Sequence, residues 1–331
     1  MVGLFVAGWA HVVTAALSGD APVALPSERI ALNPLSAAAP PPTAFLLDAA
    51  LRRIAEGSNL YGESGAVRIA IDSLPPVDSL PAGAQLEYAP TDAAADTAAA
   101  PSAPGFWNVI LRLGDAARAF PDLSVARLVP LSEKRGGRIG TYRVGDWPFE
   151  RGGSPPSPAY RPPRGLIRVT PGNRNLLVSE HFRLGDLLTK GQQDVWPKYV
   201  ALDPRMLDKV ELVIDTLEAM GYAVHNAGVI SGFRTPTYNV SGGNPAGRGE
   251  LSRHMYGDAI DFFIDNDRDG RMDDLTGDGR VTVADARLIA DAAERVERAH
   301  PRLIGGIGVY APTSAHSGFV HVDTRGYRAR W

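Results

Sequence analysis

The sequence contains no cysteine, and this absence removes several kinds of chemistry at once. No disulfide can form, no thiolate nucleophile exists, and no metal can be held by cysteine. Any metal centre in this chain must therefore use histidine, carboxylate and backbone oxygen as ligands. Lysine is also scarce, with 4 residues against 30 arginines, so almost all of the positive charge is arginine.

A strong excess of charge of either sign is absent as well. The formal net charge is −3 at pH 7, which gives no reason to expect a nucleic-acid partner. The chain is 44% hydrophobic and 21% charged, as in ordinary globular proteins. At 331 residues it is long enough for two domains.

The sequence also lacks an apolar stretch of the usual length of a transmembrane helix at its N-terminus. Met1–Leu17 is shorter than the roughly 20 apolar residues that such a helix needs. We interpret residues 1–19 as a signal peptide or N-terminal anchor, although no Lys or Arg precedes the apolar core. The alternatives are a buried N-terminal helix or a mis-assigned start. The sequence thus predicts an exported protein of the periplasm or cell envelope, with membrane association only through this segment. Residues 20–44, rich in Pro and Ala, are predicted to be a linker.

Residues 45–148 are predicted to form a small, mainly β accessory domain in which we find no catalytic constellation. Phe45–Ala55 has the pattern of a short amphipathic helix, and Tyr88–Gly105 that of a loop. The predicted strands are Val67–Asp72, Asn108–Leu113 and Ile139–Pro148. A second linker follows over residues 149–165, where Pro, Gly and Ser are dense.

Residues 166–331 alternate helices and strands in a way that predicts an α+β domain with an antiparallel sheet. A helix is predicted over Asp203–Met220, capped by Asp203 and with Pro204 in its first turn. Further helices are predicted over Ser179–Leu188 and Ala284–Ala299. The predicted strands are His225–Ile230, Ala259–Ile264, Ile304–Tyr310 and Phe319–Asp323.

Three residues of this domain have the chemistry of zinc ligands: His254, Asp261 and His321. His254 lies in a predicted loop, and Gly257 permits the tight turn that would bring it back towards Asp261 on the next strand. His321 lies in the middle of another strand. Two His and one Asp leave the fourth tetrahedral position to water, whose pKa zinc lowers to about 7. The alternative is a surface loop histidine and a hydrogen-bonded core histidine.

The local sequence around these residues resembles a known family. Ser252–Asp261 matches the S-x-H-x-x-G-x-A-x-D signature of zinc D-alanyl-D-alanine carboxypeptidases and dipeptidases. Ser231–Pro236 is similar to that family's G-[YF]-R-[ST]-P segment. Gly305–Tyr310 and Phe319–Trp331 resemble the end of its murein-endopeptidase-like branch. The resemblance covers roughly residues 166–331, half of the chain, and four motifs in the same order are more specific than one.

The resemblance implies a compact α+β fold shared with hedgehog-type signalling domains, one zinc ion, and peptidoglycan peptides containing D-amino acids as substrates. It implies that His254, Asp261 and His321 are the zinc ligands and that Ser252 binds substrate. Arg234 would stabilise an oxyanion or hold a substrate carboxylate; the alternative is a salt bridge that fixes the following turn. These motifs do not distinguish a carboxypeptidase from an endopeptidase.

Better-known members of the family have an acidic general base three residues before the last zinc histidine. In this sequence that position is Gly318, which has no side chain. His316 and Asp323 are equal candidates for that role. Because residues 321 and 323 project on the same face of a strand, Asp323 could act as the base or orient His321. The missing acid favours a second hypothesis, a catalytically silent zinc-fold domain that binds at the cell wall.

An acidic insertion, residues 265–285, resembles a dockerin-type or EF-hand calcium loop. The oxygen donors at loop positions 1, 3, 5 and 12 are Asp274, Thr276, Asp278 and Asp285. An earlier, abbreviated frame begins with Asp265, Asp267 and Asp269. The two frames overlap, so we predict one calcium ion in the second frame, with room for another in the first. The alternative is a solvated acidic turn.

Overall fold

The computed structural model describes residues 43–57, 62–75, 80–91, 97–245 and 248–331. The predicted signal peptide or anchor, and all but the last two residues of the linker after it, lie outside the described residues. In the part that is described, no helix is long and apolar enough to cross a membrane. All of these residues fall within one unit, Thr43–Trp331.

A helix packs on a four-stranded sheet in the first part of the chain. These elements are α1 (Thr43–Gly57), β1 (Ile69–Ile71), β2 (Ala84–Pro90), β3 (Gly105–Leu113) and β4 (Ala116–Arg127). The strand order is β1-β4-β3-β2, with β1 parallel to β4 and the other pairs antiparallel. Leu47, Leu51 and Ile54 recur at helical spacing on α1 and are buried in a small core that includes Val109 and Leu111 of β3.

Two small sheets follow. Their strands are β5 (Val129–Pro130), β6 (Arg138–Ile139), β7 (Tyr142–Arg143), β8 (Gly165–Val169) and β9 (Lys198–Val200). Strands β5, β8 and β9 form a three-stranded sheet in the order β5-β8-β9, and β6 and β7 form a short hairpin.

Two sequence-based expectations for these regions are wrong. The predicted loop Tyr88–Gly105 begins inside β2, which continues to Pro90. The predicted strand Ile139–Pro148 is instead the hairpin of β6 and β7, because Gly140 at φ 56° turns the chain after Ile139. Alternation of apolar and polar residues cannot distinguish a long strand from such a tight hairpin.

The last part of the chain combines two long helices with a five-stranded sheet, as the predicted α+β class requires. Its elements are α2 (Pro204–Ala219), β10 (Ala227–Ser231), α3 (Pro236–Ser241), β11 (Ala259–Ile264), α4 (Val283–Ala299), β12 (Gly306–Tyr310), β13 (Phe319–Asp323) and β14 (Ala329–Arg330). The order is β10-β11-β13-β12-β14, antiparallel except for the β12–β14 pair. Helices α2 and α4 pack against each other, and α4 packs on β12 and β13. Asp203 caps α2 and Pro204 opens it, as predicted.

The larger hydrophobic core extends to residues well before position 166. Val129, Tyr142, Trp147 and Tyr160 are buried in the same core as the helices and the five-stranded sheet. The indole Nε1 of Trp147 donates a hydrogen bond to the carbonyl of Met255 at 2.7 Å. Residues 128–165 therefore pack with the C-terminal domain, although the sequence divided them between an accessory domain and a linker. The Pro, Gly and Ser content of this segment is typical of a linker, and the few widely spaced aromatic residues that pack into the core do not change that composition.

Candidate metal centre

Three side chains converge where β11 and β13 pair, inside the five-stranded sheet. Asp261 on β11 and His321 on β13 are direct partners in the antiparallel register. His254 comes from the 3-10 helix Arg253–Tyr256, which immediately precedes β11. One nitrogen or oxygen from each of the three residues lies within 4.8 Å of the others. The structure thus brings together the three ligands that the sequence predicted, in a group able to hold a metal ion.

Gly257 makes this convergence possible. It ends the 3-10 helix in the left-handed conformation, at φ 76°, and turns the chain into β11. A Cβ atom at this position would lie 2.3 Å from the carbonyl carbon of Ala201. Both the backbone conformation and the space therefore require glycine between His254 and Asp261.

Each imidazole has one nitrogen fixed by an acceptor outside the group. His254 Nδ1 lies 2.7 Å from the carbonyl oxygen of Gly232, which can only accept, so this nitrogen carries the proton. His321 Nε2 lies 3.0 Å from Asp323 Oδ2. The opposite nitrogens face Asp261 Oδ1, at 3.2 Å from His254 Nε2 and 2.8 Å from His321 Nδ1. Paired acceptors behind ligating histidines are the usual arrangement around protein-bound metals, so the donor set fits a metal ion.

The charge states also suit metal binding. Burial lowers the pKa of His254, which therefore favours its neutral form. Although burial alone would raise it, His254 and His321 together hold the pKa of the Asp261 carboxyl well below its usual range. Burial acts against the charged form of His321, but hydrogen bonds to Asp261 and Asp323 outweigh it and raise the pKa. A metal cation can take the place of that shared proton.

Arg234 contacts the metal centre directly. Its Nη2 donates to Asp261 Oδ2 at 2.9 Å, and its Nε donates to Ser231 Oγ at 2.9 Å. Its backbone N–H donates to the carbonyl of His254 at 3.1 Å. Arg234 thus occupies the second carboxylate oxygen of Asp261 and leaves Oδ1 facing the two imidazoles.

A cavity of about 380 Å³ opens onto the group. It is lined by the three candidate ligands and by two further residues that the sequence indicated, Arg234 and Ser252. Sequence reasoning did not assign site roles to the other side chains of the wall, which include Arg248, Arg253, Tyr310, Phe319, Arg325 and Trp331. Tyr310, Phe319, Arg325 and Trp331 lie in segments that carry the family resemblance, whereas nothing in the sequence marks Arg248.

The two candidates for the general base lie in different places. Asp323 is fully buried behind His321, where its carboxylate also accepts from the Gly306 N–H at 2.8 Å and from the Arg325 guanidinium. His316 lines a neighbouring cavity. Its ring contacts Phe319, with ring centroids 5.1 Å apart, and Phe319, but not His316, lines the metal-centre cavity. The structure therefore brings neither residue into the cavity.

The acidic insertion is organised differently from its predicted calcium frame. Carboxylate oxygens of Asp265, Asp267 and Asp269, the abbreviated first frame, lie within 4.8 Å of one another. In the second frame, Asp274 accepts hydrogen bonds from the backbone N–H groups of the loop that follows it. Asp285 is completely buried. Its two carboxylate oxygens accept hydrogen bonds from the backbone N–H groups of Thr276, in the preceding loop, and of Thr282, the residue that caps α4. Asp285 is thus a helix-capping residue in this structure.

Searches against protein-family models, curated proteins and solved structures found no significant match. The relation to zinc D-alanyl-D-alanine peptidases therefore stays an expectation from the sequence motifs, and the geometry of the group formed by His254, Asp261 and His321 is the main structural finding about this site.

Proposed function

We propose that this chain is a zinc-dependent hydrolase of peptide bonds in peptidoglycan stem peptides. The observation that carries the proposal is the convergence of two imidazoles and one carboxylate at an open cavity, with the second nitrogen of each imidazole already hydrogen-bonded. Such an N2O set with an open fourth position is typical of catalytic zinc, and the chain has no cysteine thiolate to select a softer metal. Export to the periplasm or cell envelope fits this substrate and is part of the proposal.

Zinc bound by these residues would polarise the scissile carbonyl and acidify a water molecule. The protein supplies the rest. Arg234 keeps Asp261 oriented and places a guanidinium at the cavity, where it can stabilise negative charge developing on the substrate. Ser252, on the same wall, can contact the substrate.

Proton transfer to the leaving nitrogen falls to His316 in this proposal, because Asp323 is enclosed behind His321. His316 Nδ1 lies 2.7 Å from the Ser317 carbonyl, so Nδ1 carries the proton and Nε2 is the basic nitrogen. Catalytic contacts in substrate-free enzymes are often long and tighten only when substrate binds. Closure of the segment 312–317 past Phe319 is the movement that this role requires.

The decisive experiment is digestion of purified murein by the purified protein, with and without a chelator, with the products identified by mass spectrometry. We expect peptide products that disappear with chelator and return with zinc. Zinc should co-purify at about one per chain and be lost in His254→Ala and His321→Ala. The exposed His225 provides a matched control, since His225→Ala should keep its zinc. Full zinc occupancy in either ligand variant would refute the site.

The second hypothesis is a zinc-fold domain that binds peptidoglycan without cutting it. One observation favours it: position 318 has no acidic side chain, and a Cβ there would meet Met272 Sδ at 3.1 Å, so that position is filled by packing. A wild-type protein that binds zinc and sediments with murein, yet releases no product, would establish this alternative.

A further inference from the structure

Four arginines line the metal-centre cavity, and they differ in how their charge is balanced. Three of them form ion pairs with buried carboxylates: Arg234 with Asp261, Arg253 with Asp258, and Arg325 with Asp323. Arg248 is different, because among the described residues no carboxylate lies within ion-pair distance of it. The cavity wall therefore carries one guanidinium whose charge the described protein does not neutralise.

Arg248 is nevertheless held in place. Its Nη1 donates to the carbonyl oxygens of Tyr238 at 2.7 Å and Asn239 at 3.5 Å, both in α3. Its guanidinium carbon lies 4.8 Å from the centroid of the Tyr238 ring, a cation–π distance. Within the part of the chain that the structure describes, Nε and Nη2 have no hydrogen-bond partner. In arginine generally, Nε–H and one Nη–H lie on the same edge of the guanidinium, and this edge can bind a carboxylate through two parallel hydrogen bonds.

A fixed, unneutralised arginine on the wall of a cavity favours an anionic ligand. The anchoring at Nη1 and the stacked ring have already restricted the side chain, so less conformational entropy is lost when a ligand binds. Arg248 and Arg234 line the same cavity, so a carboxylate bound to Arg248 would also lie in the positive field of a second guanidinium.

We propose that Arg248 is a specificity-determining residue that selects peptides with a carboxylate beside the scissile bond. This inference rests on the proposed hydrolase function. The carboxylate has two sources in a stem peptide: the α-carboxylate at the chain end, or the side-chain carboxylate of an internal residue such as diaminopimelate. The first source would make the enzyme a carboxypeptidase and the second would allow internal cleavage.

The test compares kcat/KM for two matched pairs of peptides. The first pair is diacetyl-L-Lys-D-Ala-D-Ala and its C-terminal amide; the second is an amidated stem peptide with either diaminopimelate or lysine at its third position. A hydrogen-bonded charge of this kind predicts a preference of about 10- to 100-fold for the carboxylate-bearing member of one pair, and that pair identifies the source. Arg248→Gln should reduce the preference to about threefold or less, and Arg248→Lys should restore part of it.

Arg287→Gln is the matched control, because Arg287 is an exposed arginine on α4 outside the cavity lining. It should keep the wild-type preference. Equal rates on both members of both pairs in the wild type would overturn the inference, as would a preference that survives in Arg248→Gln.

The same peptides distinguish failure of the hydrolase proposal from failure of the proposal for Arg248. If the zinc-loaded wild type cuts neither purified murein nor any of the four peptides, hydrolysis is refuted, and calorimetric titration of the same peptides into the same proteins decides the role of Arg248. Tighter binding of one carboxylate-bearing peptide, lost in Arg248→Gln and kept in Arg287→Gln, would support it. Equal affinities within both pairs would overturn it.

Discussion

His321 lies between two carboxylates with different tasks. Asp261 faces the cavity, and Asp323 lies on the far side of the imidazole. Asp323 is held from several directions, since its side chain accepts from Gly306 and Arg325 and its backbone carbonyl accepts from Lys209 Nζ at 2.7 Å. A carboxylate with this many fixed donors cannot move out to a substrate without breaking buried hydrogen bonds. Its geometry is that of a residue that orients a metal ligand.

This assignment separates two substitutions that the sequence treats as equivalent. We expect Asp323→Asn to weaken zinc binding by about 10- to 100-fold, because the hydrogen bond that orients His321 loses its charge. We expect His316→Ala to keep wild-type zinc affinity and to lose about 100-fold in turnover at saturating zinc. Competition with a chromogenic chelator measures the first effect, and a murein digestion rate the second. Wild-type zinc affinity combined with lost turnover in Asp323→Asn would return the role of base to Asp323.

Residue types and order were enough to predict which three residues form the candidate metal group, but not the cavity around them. His254, Asp261 and His321 stand in recognisable motifs, and the β11–β13 register then places two of them opposite each other. Arg248 has no motif. Its importance comes from what surrounds it, namely three neighbouring arginines that each have a carboxylate, and only tertiary structure shows that pairing.

At the scale of elements, the turn between the 3-10 helix Arg253–Tyr256 and β11 determines where His254 lies. Gly257→Ala would introduce both an unfavourable φ and a clash with Ala201. Gly221, at φ 94° after α2, is a matched control, because a Cβ there meets nothing within 4 Å. We expect Gly221→Ala to cost about 1 kcal/mol of unfolding free energy and Gly257→Ala clearly more, with reduced zinc affinity. Denaturant unfolding and zinc titration measure both; equal losses with zinc affinity unchanged would show that the turn does not position His254.

The acidic insertion between β11 and α4 is the second element with a testable ligand. Because the structure gathers Asp265, Asp267 and Asp269, we expect calcium to bind the first frame and to raise the melting temperature when zinc is already saturating. The shift should disappear in Asp267→Ala and persist in Asp278→Ala. Loss in Asp278→Ala alone would place the ion in the second frame, and no shift in the wild type would show the insertion to be an acidic turn.

The sequence predicted some elements better than others, for physical reasons. Strands β11 and β13 were predicted residue for residue, because in each one apolar residues flank a single internal candidate ligand, Asp261 or His321. Helix α2 was predicted from its cap, its proline and its apolar stripe. Strand β4 was missed, since Pro121 and Asp122 interrupt its pattern, with Asp122 at φ 56°, and it is pairing with both β3 and β1 that makes this segment a strand.

At the scale of the whole molecule, the first sheet is connected to the domain that carries the metal centre. The backbone N–H groups of Glu63 and Ser64 donate to the carboxylate of Asp208 on α2, at 2.9 and 2.7 Å. The Glu63 side chain also forms an ion pair with Arg302. Removal of the first sheet would therefore expose a buried carboxylate on α2, so the full chain should be more stable than a fragment that lacks it.

The position of the domain boundary leads to a prediction about fragments. A fragment of residues 166–331 contains every candidate ligand but lacks Tyr142, Trp147 and Tyr160, which are buried in the larger core. Burial of each large side chain contributes about 1.5–3 kcal/mol, against a total stability of about 5–15 kcal/mol for a typical domain. We expect residues 128–331 to unfold cooperatively, at a lower temperature than the full chain, and residues 166–331 to show no cooperative transition and no stoichiometric zinc. Near-ultraviolet circular dichroism during heating distinguishes them, because it reports on fixed aromatic side chains. A folded fragment of residues 166–331 with one zinc would instead place the boundary where the sequence composition suggested.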